Sequence, residues 1–436
     1  MRHSDFAFNH KNYNMSILLK NATYIDWKTL EFSQKNILVE QDNNAIQFIE
    51  SIDNNKPNIE VIDCTGKLVT KSFAVGHHHV YSALSRGMGA PKKNPTNFSE
   101  VLKYIWWTLD KCLDLEMIES SALVTAIACA KAGSTFVIDH HASPFAVKGS
   151  LETIAKAFDK VGVSHLLCYE ISDRDGFKAG KEGLDETESY LKNRQGLVGL
   201  HASFTVNDDT LEQAVSLMNN TKSGIHIHVA EDLYDQDFCI KKYGKRVVNR
   251  LNDYGVLKSP KTILGHCLHL EEDEKDIIRN SPCWVVQNTE SNLNNNVGYF
   301  NSEFLGNNIM LGTDGMHSDM LQSAKAAFFV GQGFDTITYP GIYQRFRNVH
   351  RYINDNGFMG DGDNNLVVLD YNTPTEINQN NFLGHFVFGI NSNHVCDVIS
   401  NGKLIVKNRQ IITVNEDEVL KVSKERALRL WKKMQE

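Results

Sequence analysis

Apolar and polar positions change rhythm twice along this chain. From Ser16 to about Leu68 the apolar residues alternate or cluster in short runs, ILLKNATYID, KNILVEQ and AIQFIES, cut by Asn, Asp and Lys turns. That is the pattern of short strands. The tail repeats it in NLVVLDY (365–371), HFVFGI (385–390), VCDVISNGKLIV (395–406) and QIITV (410–414). Asn401-Gly402 predicts a tight hairpin, and EDEVLKVSKERALRLWKKMQE predicts a closing amphipathic helix.

The middle reads differently. Short apolar runs recur with helix-like stretches between them: SFAVGHHH (72–79), TFVID (135–139), SHLLCYE (164–170), GLVGLHAS (196–203), GIHIHVAE (224–231), TILGHC (262–267), CWVVQN (283–288) and NIMLGTD (308–314). Eight buried strands alternating with helices predict an α/β fold, a distorted (β/α)₈ TIM barrel. A doubly wound open sheet is the competing architecture, but no G-x-G-x-x-G follows a first strand. The expected division is a loose extension over 1–15, a small β-sandwich domain from 16–69 plus 362–436, and the barrel over 70–361.

Composition narrows the class. Among 436 residues, 42% hydrophobic and 22% charged exclude a disordered chain. A formal charge of −8 argues against a nucleic-acid partner. No run approaches the ~18 apolar residues of a membrane span, and the polar start MRHSDFAFNHKNYN is no signal peptide. The eight cysteines are scattered without a C-x-x-C pair, which points to free thiols and a cytoplasmic protein. One count stands out: 17 histidines, many in tight groups.

Chemistry in such a barrel sits where the strands end. The first run ends in His77-His78-His79, where alternation puts His77 and His79 on one face. The fourth carries His201, the fifth His226 and His228 with Glu231 three residues on, the sixth His266, and the eighth Asp314. Each has an ordinary reading: a lone strand-end His is usually a satisfied polar residue, and Asp-Gly is common turn chemistry. Co-occurrence changes the odds, because all of them converge on one mouth. His226 lies deeper in its strand and reads as core. His78, His140, His141 and His269 read as supporting or loop residues, while His3, His10, His317, His350, His385 and His394 lack such placement.

His77, His79, His228 and Asp314 make a ligand set for one divalent ion, zinc first and iron second. Such an ion lowers the pKa of its water to about 7. Glu231 is placed to shuttle the proton, His266 to steady the attacking oxygen, and His201 to donate to a substrate carbonyl or ring nitrogen. The expected reaction is hydrolysis at an sp² carbon with ammonia expelled; Glu231, His266 and Asp314 are the catalytic candidates. Trp107 (with Trp106), Arg86 and Gln287 are weaker candidates for substrate contact; for the tryptophans a buried helix face is at least as good a reading.

The strings HHHVYSALSRGM, STFVIDHHASP, GLHASFTV, IHIHVAED, LGHCLHL, ESN and LGTDGM resemble, in order, the motifs of the aminohydrolase branch of the amidohydrolase superfamily. That branch includes guanine deaminase-like enzymes and triazine hydrolases, and the look is nearest to the SsnA-type aminohydrolases. The resemblance covers the chain from about Ser16 to the tail. It implies a barrel with a β-sandwich built from both ends, one metal at His77, His79, His228 and Asp314, roles for Glu231 and His266, and substrate contact by His201. It departs in three places. Lys71-Ser72 stands where the family has Pro-Gly, which should alter only a turn. Gln287-Asn288-Thr289 replaces His-Asn-Pro, and Glu170 ends the third strand, where a solvated or substrate-facing carboxylate is expected and a bridge to a second metal is the lesser alternative.

The leading expectation is thus a metal-dependent aminohydrolase acting on a small aminated heterocycle, a purine, pterin or triazine-like ring. No nucleic acid or membrane is expected as partner, and a homodimer is expected by analogy. A ring-opening cyclic amidase with a binuclear site is the alternative, but GLVGLHAS has no Lys to carboxylate. A non-catalytic, metal-bearing binding barrel is the alternative from another class; retention of Glu231 and Asp314 counts against it.

Overall fold

The computed structural model describes residues 16–41, 43–50 and 59–436; the extension expected over 1–15 lies outside them. The chain is a mixed α/β protein. Its eight central strands are labelled in chain order: β1 (Phe73–His78), β2 (Ser134–His141), β3 (Ser164–Tyr169), β4 (Val198–Ala202), β5 (Ile225–Val229), β6 (Ile263–His266), β7 (Trp284–Gln287) and β8 (Ile309–Leu311). Each coincides with one of the eight apolar runs. Helices separate them, among them Leu115–Lys131, Ser150–Val161, Phe177–Leu191, Asp208–Thr221 and Met320–Phe334.

All pairings among these strands are parallel. β1, β2 and β3 form a three-stranded sheet, and β4 to β8 a five-stranded one. Isolated bridges join the two sheets at both edges: Leu167 with Gly196 and Ile171 with Leu200 on one side, His78 with Asp314 on the other. Strands of both sheets feed one buried cluster, with Phe136, Ile138, Leu166, Trp284, Val286 and Met310 packed on Tyr352 of helix Tyr339–Asp355. Close approach of backbones demands glycine in places. A Cβ at Gly199 would lie 2.2 Å from the Tyr169 carbonyl oxygen, and one at Gly312 2.8 Å from the His77 Cβ.

Both ends of the described chain share a second, nine-stranded sheet. Its centre is the antiparallel pairing of Leu68–Lys71 with Leu366–Leu369, and Ile17, Leu19, Ile37, Val69, Val368 and Ile399 build its own core. The hairpin at Asn401-Gly402 forms with both residues at positive φ. One expected strand is a helix: HFVFGI lies largely within Phe382–Phe388. Phe382 and Phe386 are four apart, so a helix brings both rings within about 6 Å along its axis and onto Tyr343; a strand would hold them about 13 Å apart.

Lys71 also differs from expectation. It is no turn residue but the end of a strand, 2% exposed. Its Nζ donates to the Asp361 and Gly362 carbonyls at 2.9 and 2.5 Å and lies 3.0 Å from the Asp361 carboxylate. The other Asp361 oxygen is 2.8 Å from His350 Nδ1. A buried charge is held there because every donor has an acceptor.

Candidate active site

β1, β3, β4, β5, β6 and β8 bring side chains at or just past their C-terminal ends to one cleft, lined by His79, Glu170, His201, His228, Glu231, His266 and Asp314. Backbone strain aims three of the segments. Ala230 (just before Glu231), His266 and Asp314 have φ of 47°, 67° and 51°, a left-handed conformation that costs about 1–3 kcal/mol per non-glycine residue. The Asp314 turn is pinned by the Thr313 and Asp314 amides, which donate to the His77 carbonyl at 3.0 and 3.1 Å.

The hydrogen bonds fix which nitrogen each imidazole offers. His79 donates from Nδ1 to the His140 carbonyl at 2.6 Å, so its Nε2 carries a lone pair, 3.1 Å from Asp314 Oδ1. His77 contacts His226 Nε2 through Nδ1 at 2.9 Å, and its Nε2 lies 3.6 Å from the same Asp314 oxygen. His266 donates from Nδ1 to Asn292 Oδ1 at 2.8 Å and points Nε2 at Glu231 (3.6 Å) and Asp314 (3.7 Å). The buried Nε2 atoms of His77, His228 and His266 have no hydrogen-bond partner.

Lone pairs and a carboxylate crowded together out of water repel unless a cation lies among them. The donor set therefore fits a divalent metal. Ligand atoms of His77, His79 and Asp314 lie within 4.8 Å of one another, as do those of His77, His228 and His266, and those of Glu231, His266 and Asp314. His77 is common to two of these groups, one with His79 and Asp314 and one with His228; none of them holds all four expected ligands.

Titration follows the geometry. Burial pushes His77 down to about 3 and His228 well below the usual range, where neighbouring histidines add to the effect; both stay neutral, the ligand form. Burial would lower His79 too, but its bond to Asp314 prevails and raises it to about 9. Burial pushes Glu231 up to about 7, against the pull of His266.

The remaining candidates divide. Trp107 lines the cleft and stands edge-on to His201, ring centroids 6.0 Å apart. His201 sits on the wall, but with a different polarity from that expected. The Thr205 hydroxyl donates to the Ala202 carbonyl (3.1 Å) and so accepts from His201 Nδ1 (2.7 Å). The free Nε2 of neutral His201 is then an acceptor, matched to a substrate N–H. Arg86 is corrected: it is exposed after a short helical turn and not on the cleft wall. Gln287 is corrected as well: it is buried, accepts from Arg345 at 2.8 Å and donates to Thr289 at 2.9 Å, so its amide is occupied away from the wall.

Sequence reasoning passed over Asn292 and Asn295. Asn292 sets the His266 tautomer, and Asn295 donates to Glu231 Oε1 at 3.4 Å. The signal for Asn292 was the Ser291-Asn292 motif after β7, read as family pattern without a role; Asn295 lies three residues beyond it. Of the histidines set aside, His226 braces His77, His78 turns away to Ser318 (3.0 Å), and His141 meets Ser143 (3.0 Å).

Fold and side-chain set together define a hydrolase scaffold around a candidate metal centre. The chain belongs to the amidohydrolase family, which it matches over residues 75–338. It is 25% identical to a 5-methylthioadenosine/S-adenosylhomocysteine deaminase of Thermoanaerobacter pseudethanolicus, over 95% of this chain and 99% of that one. It is likewise 25% identical to a 5'-deoxyadenosine deaminase of Methanococcus maripaludis, with 95% and 99% covered. Among solved structures, an adenosine deaminase from Xanthomonas campestris with bound zinc superposes with a TM-score of 0.80 at 17% identity, covering 96% of this chain and 98% of that one.

Proposed function

We propose that this amidohydrolase is a metal-dependent aminohydrolase that replaces the amino group of a nitrogen heterocycle with oxygen, releasing ammonia. Purines lead the substrate class, because the relatives named above are deaminases of adenosine-like compounds; pterin and triazine-like rings complete it. The observation that carries the reading is the convergence of Glu231 and His266 Nε2 on Asp314, beside imidazoles whose lone pairs face inward.

In this reading the eight strands form a (β/α)₈ barrel over 70–361, and the end sheet folds over its own core as a small sandwich. His77, His79, His228 and Asp314 hold the ion. Three imidazoles and a carboxylate suit zinc, the ion bound in the Xanthomonas relative; iron is the second choice. When bound, a divalent ion supplies hydroxide near neutral pH and polarises the carbon under attack. Glu231 takes the proton of the attacking water and returns it to the departing nitrogen. His266, fixed by Asn292, accepts a hydrogen bond from that water through Nε2 and orients it. His201 accepts a ring or amino N–H, and Trp107 flanks the ring.

The test is a panel of aminopurines, their nucleosides, aminopterins and aminotriazines, offered to zinc-loaded protein while ammonia and ultraviolet absorbance are followed together. Ammonia from at least one substrate, abolished by Glu231→Gln, is expected. Silence across the panel, or full activity of Glu231→Gln, overturns the reading.

A further inference from the structure

The one four-membered group of metal-compatible side chains among the described residues is not the expected set. It is His79, His140, Glu170 and His228, all buried, with ligand atoms within 4.8 Å of one another. His140 and Glu170 take no part in the mechanism above; Glu170 lines the same cleft, and His140 is buried directly behind it.

Their hydrogen bonds explain why the pair needs an occupant. His140 Nε2 meets the His226 carbonyl at 3.2 Å, so it carries the hydrogen and Nδ1 carries the lone pair. That Nδ1 has no hydrogen-bond partner and faces Glu170 Oε2 at 3.3 Å. The other carboxylate oxygen faces His201 Nε2 at 3.8 Å, and that nitrogen is also a lone pair because Nδ1 donates to Thr205. Glu170 is 5% exposed. An acid anion facing two inward lone pairs out of water needs a positive charge beside it, either a proton on His140 or a metal ion.

We propose that His140 and Glu170 form a second divalent-cation site beside the first, leaving His201 Nε2 to the substrate. An imidazole nitrogen and a carboxylate, completed by water, suit zinc, iron or manganese. His79 and His228 offer one nitrogen each and give it to the first ion, so the second has few protein ligands and positions open toward the cleft. It therefore binds more weakly and faces substrate, where it can take a ring nitrogen or a carbonyl oxygen. The site differs from the carboxylated-lysine bridge of ring-opening amidases, since β4 supplies His201 and no lysine. The proposal rests on the first ion lying at His77, His79, His228 and Asp314.

Zinc content after saturation and dialysis, measured by plasma mass spectrometry, is the test. Two equivalents per chain in the wild type and one in both Glu170→Gln and His140→Asn are expected. Cobalt substitution should show two spectroscopically distinct ions, of which Glu170→Gln loses one. A single equivalent in the saturated wild type overturns the second site and leaves the first, the gap then being filled by a proton on His140. Two equivalents surviving in both variants place the second ion elsewhere and also overturn it. No tightly bound zinc at all overturns the first site as well. Unchanged circular dichroism and melting of the metal-free variants separate ligand loss from misfolding.

Discussion

His79 turns Nε2, its hydrogen-free nitrogen, toward Asp314 Oδ1 at 3.1 Å, because Nδ1 already donates to the His140 carbonyl. Two acceptors at hydrogen-bond distance define a place for a positive charge. Without an ion a proton takes it, which is why His79 is raised to about 9. Metal uptake should therefore release protons. Isothermal titration in buffers of different ionisation enthalpy will measure the release; His228→Ala should weaken zinc by at least ~10-fold, and chelation should lower Tm.

Glu231 is expected to act as a base, so its carboxylate must be ionised. Burial raises it to about 7, and a nearby cation pulls it back. kcat/KM should fall as pH drops through a limb at or below about 7, and Glu231→Gln should lose roughly 10²–10⁴-fold in kcat while keeping its zinc. A flat acid profile in the wild type would remove Glu231 from this role.

Asn292 touches His266 through Oδ1 at 2.8 Å and lies off the cleft wall. Asn292→Ala frees the imidazole to rotate or change tautomer. A loss of about 10–100-fold in kcat, with zinc content and KM little changed, is expected from the size of such supporting contacts. Steady-state kinetics beside metal analysis checks it.

The joint between the end sheet and the central strands predicts a stability effect. Lys71→Met leaves the buried Asp361 with His350 alone, at a cost of about 3–5 kcal/mol, measurable by urea denaturation. Burial pushes Asp361 up, but His350 and Lys71 outweigh it and hold the carboxyl below its ordinary value. A lowered folded pKa gives stability that is complete above the unfolded value of about 4 and is lost as pH falls below it. Lys71→Met should flatten that acid limb.

The eight central strands were legible because each is a short apolar run closed by turn residues, and the histidines were legible because they end those runs. What stayed hidden depends on partners far along the chain. Gln287 could not be seen to serve Arg345, 58 residues away. The polarity of His201 hangs on where the Thr205 hydroxyl points. His140 and Glu170 end neighbouring strands, but nothing in their spacing shows that their lone pairs meet. The run HFVFGI was misread because a short aromatic cluster suits a strand as well as a helix until Tyr343 is placed beside it.

The pairing of Leu68–Lys71 with Leu366–Leu369 also sets an order of events in the cell. During translation the central strands leave the ribosome with the joint beneath them open, since its partner strand has yet to be made. Until Leu366 emerges, Val69 and the backbone of its strand are exposed as an unpaired edge, ready to capture another nascent chain. A premature stop upstream of Leu366 would make that exposure permanent. Such fragments should be aggregation-prone and in need of chaperones even with every proposed ligand of the ion already in place.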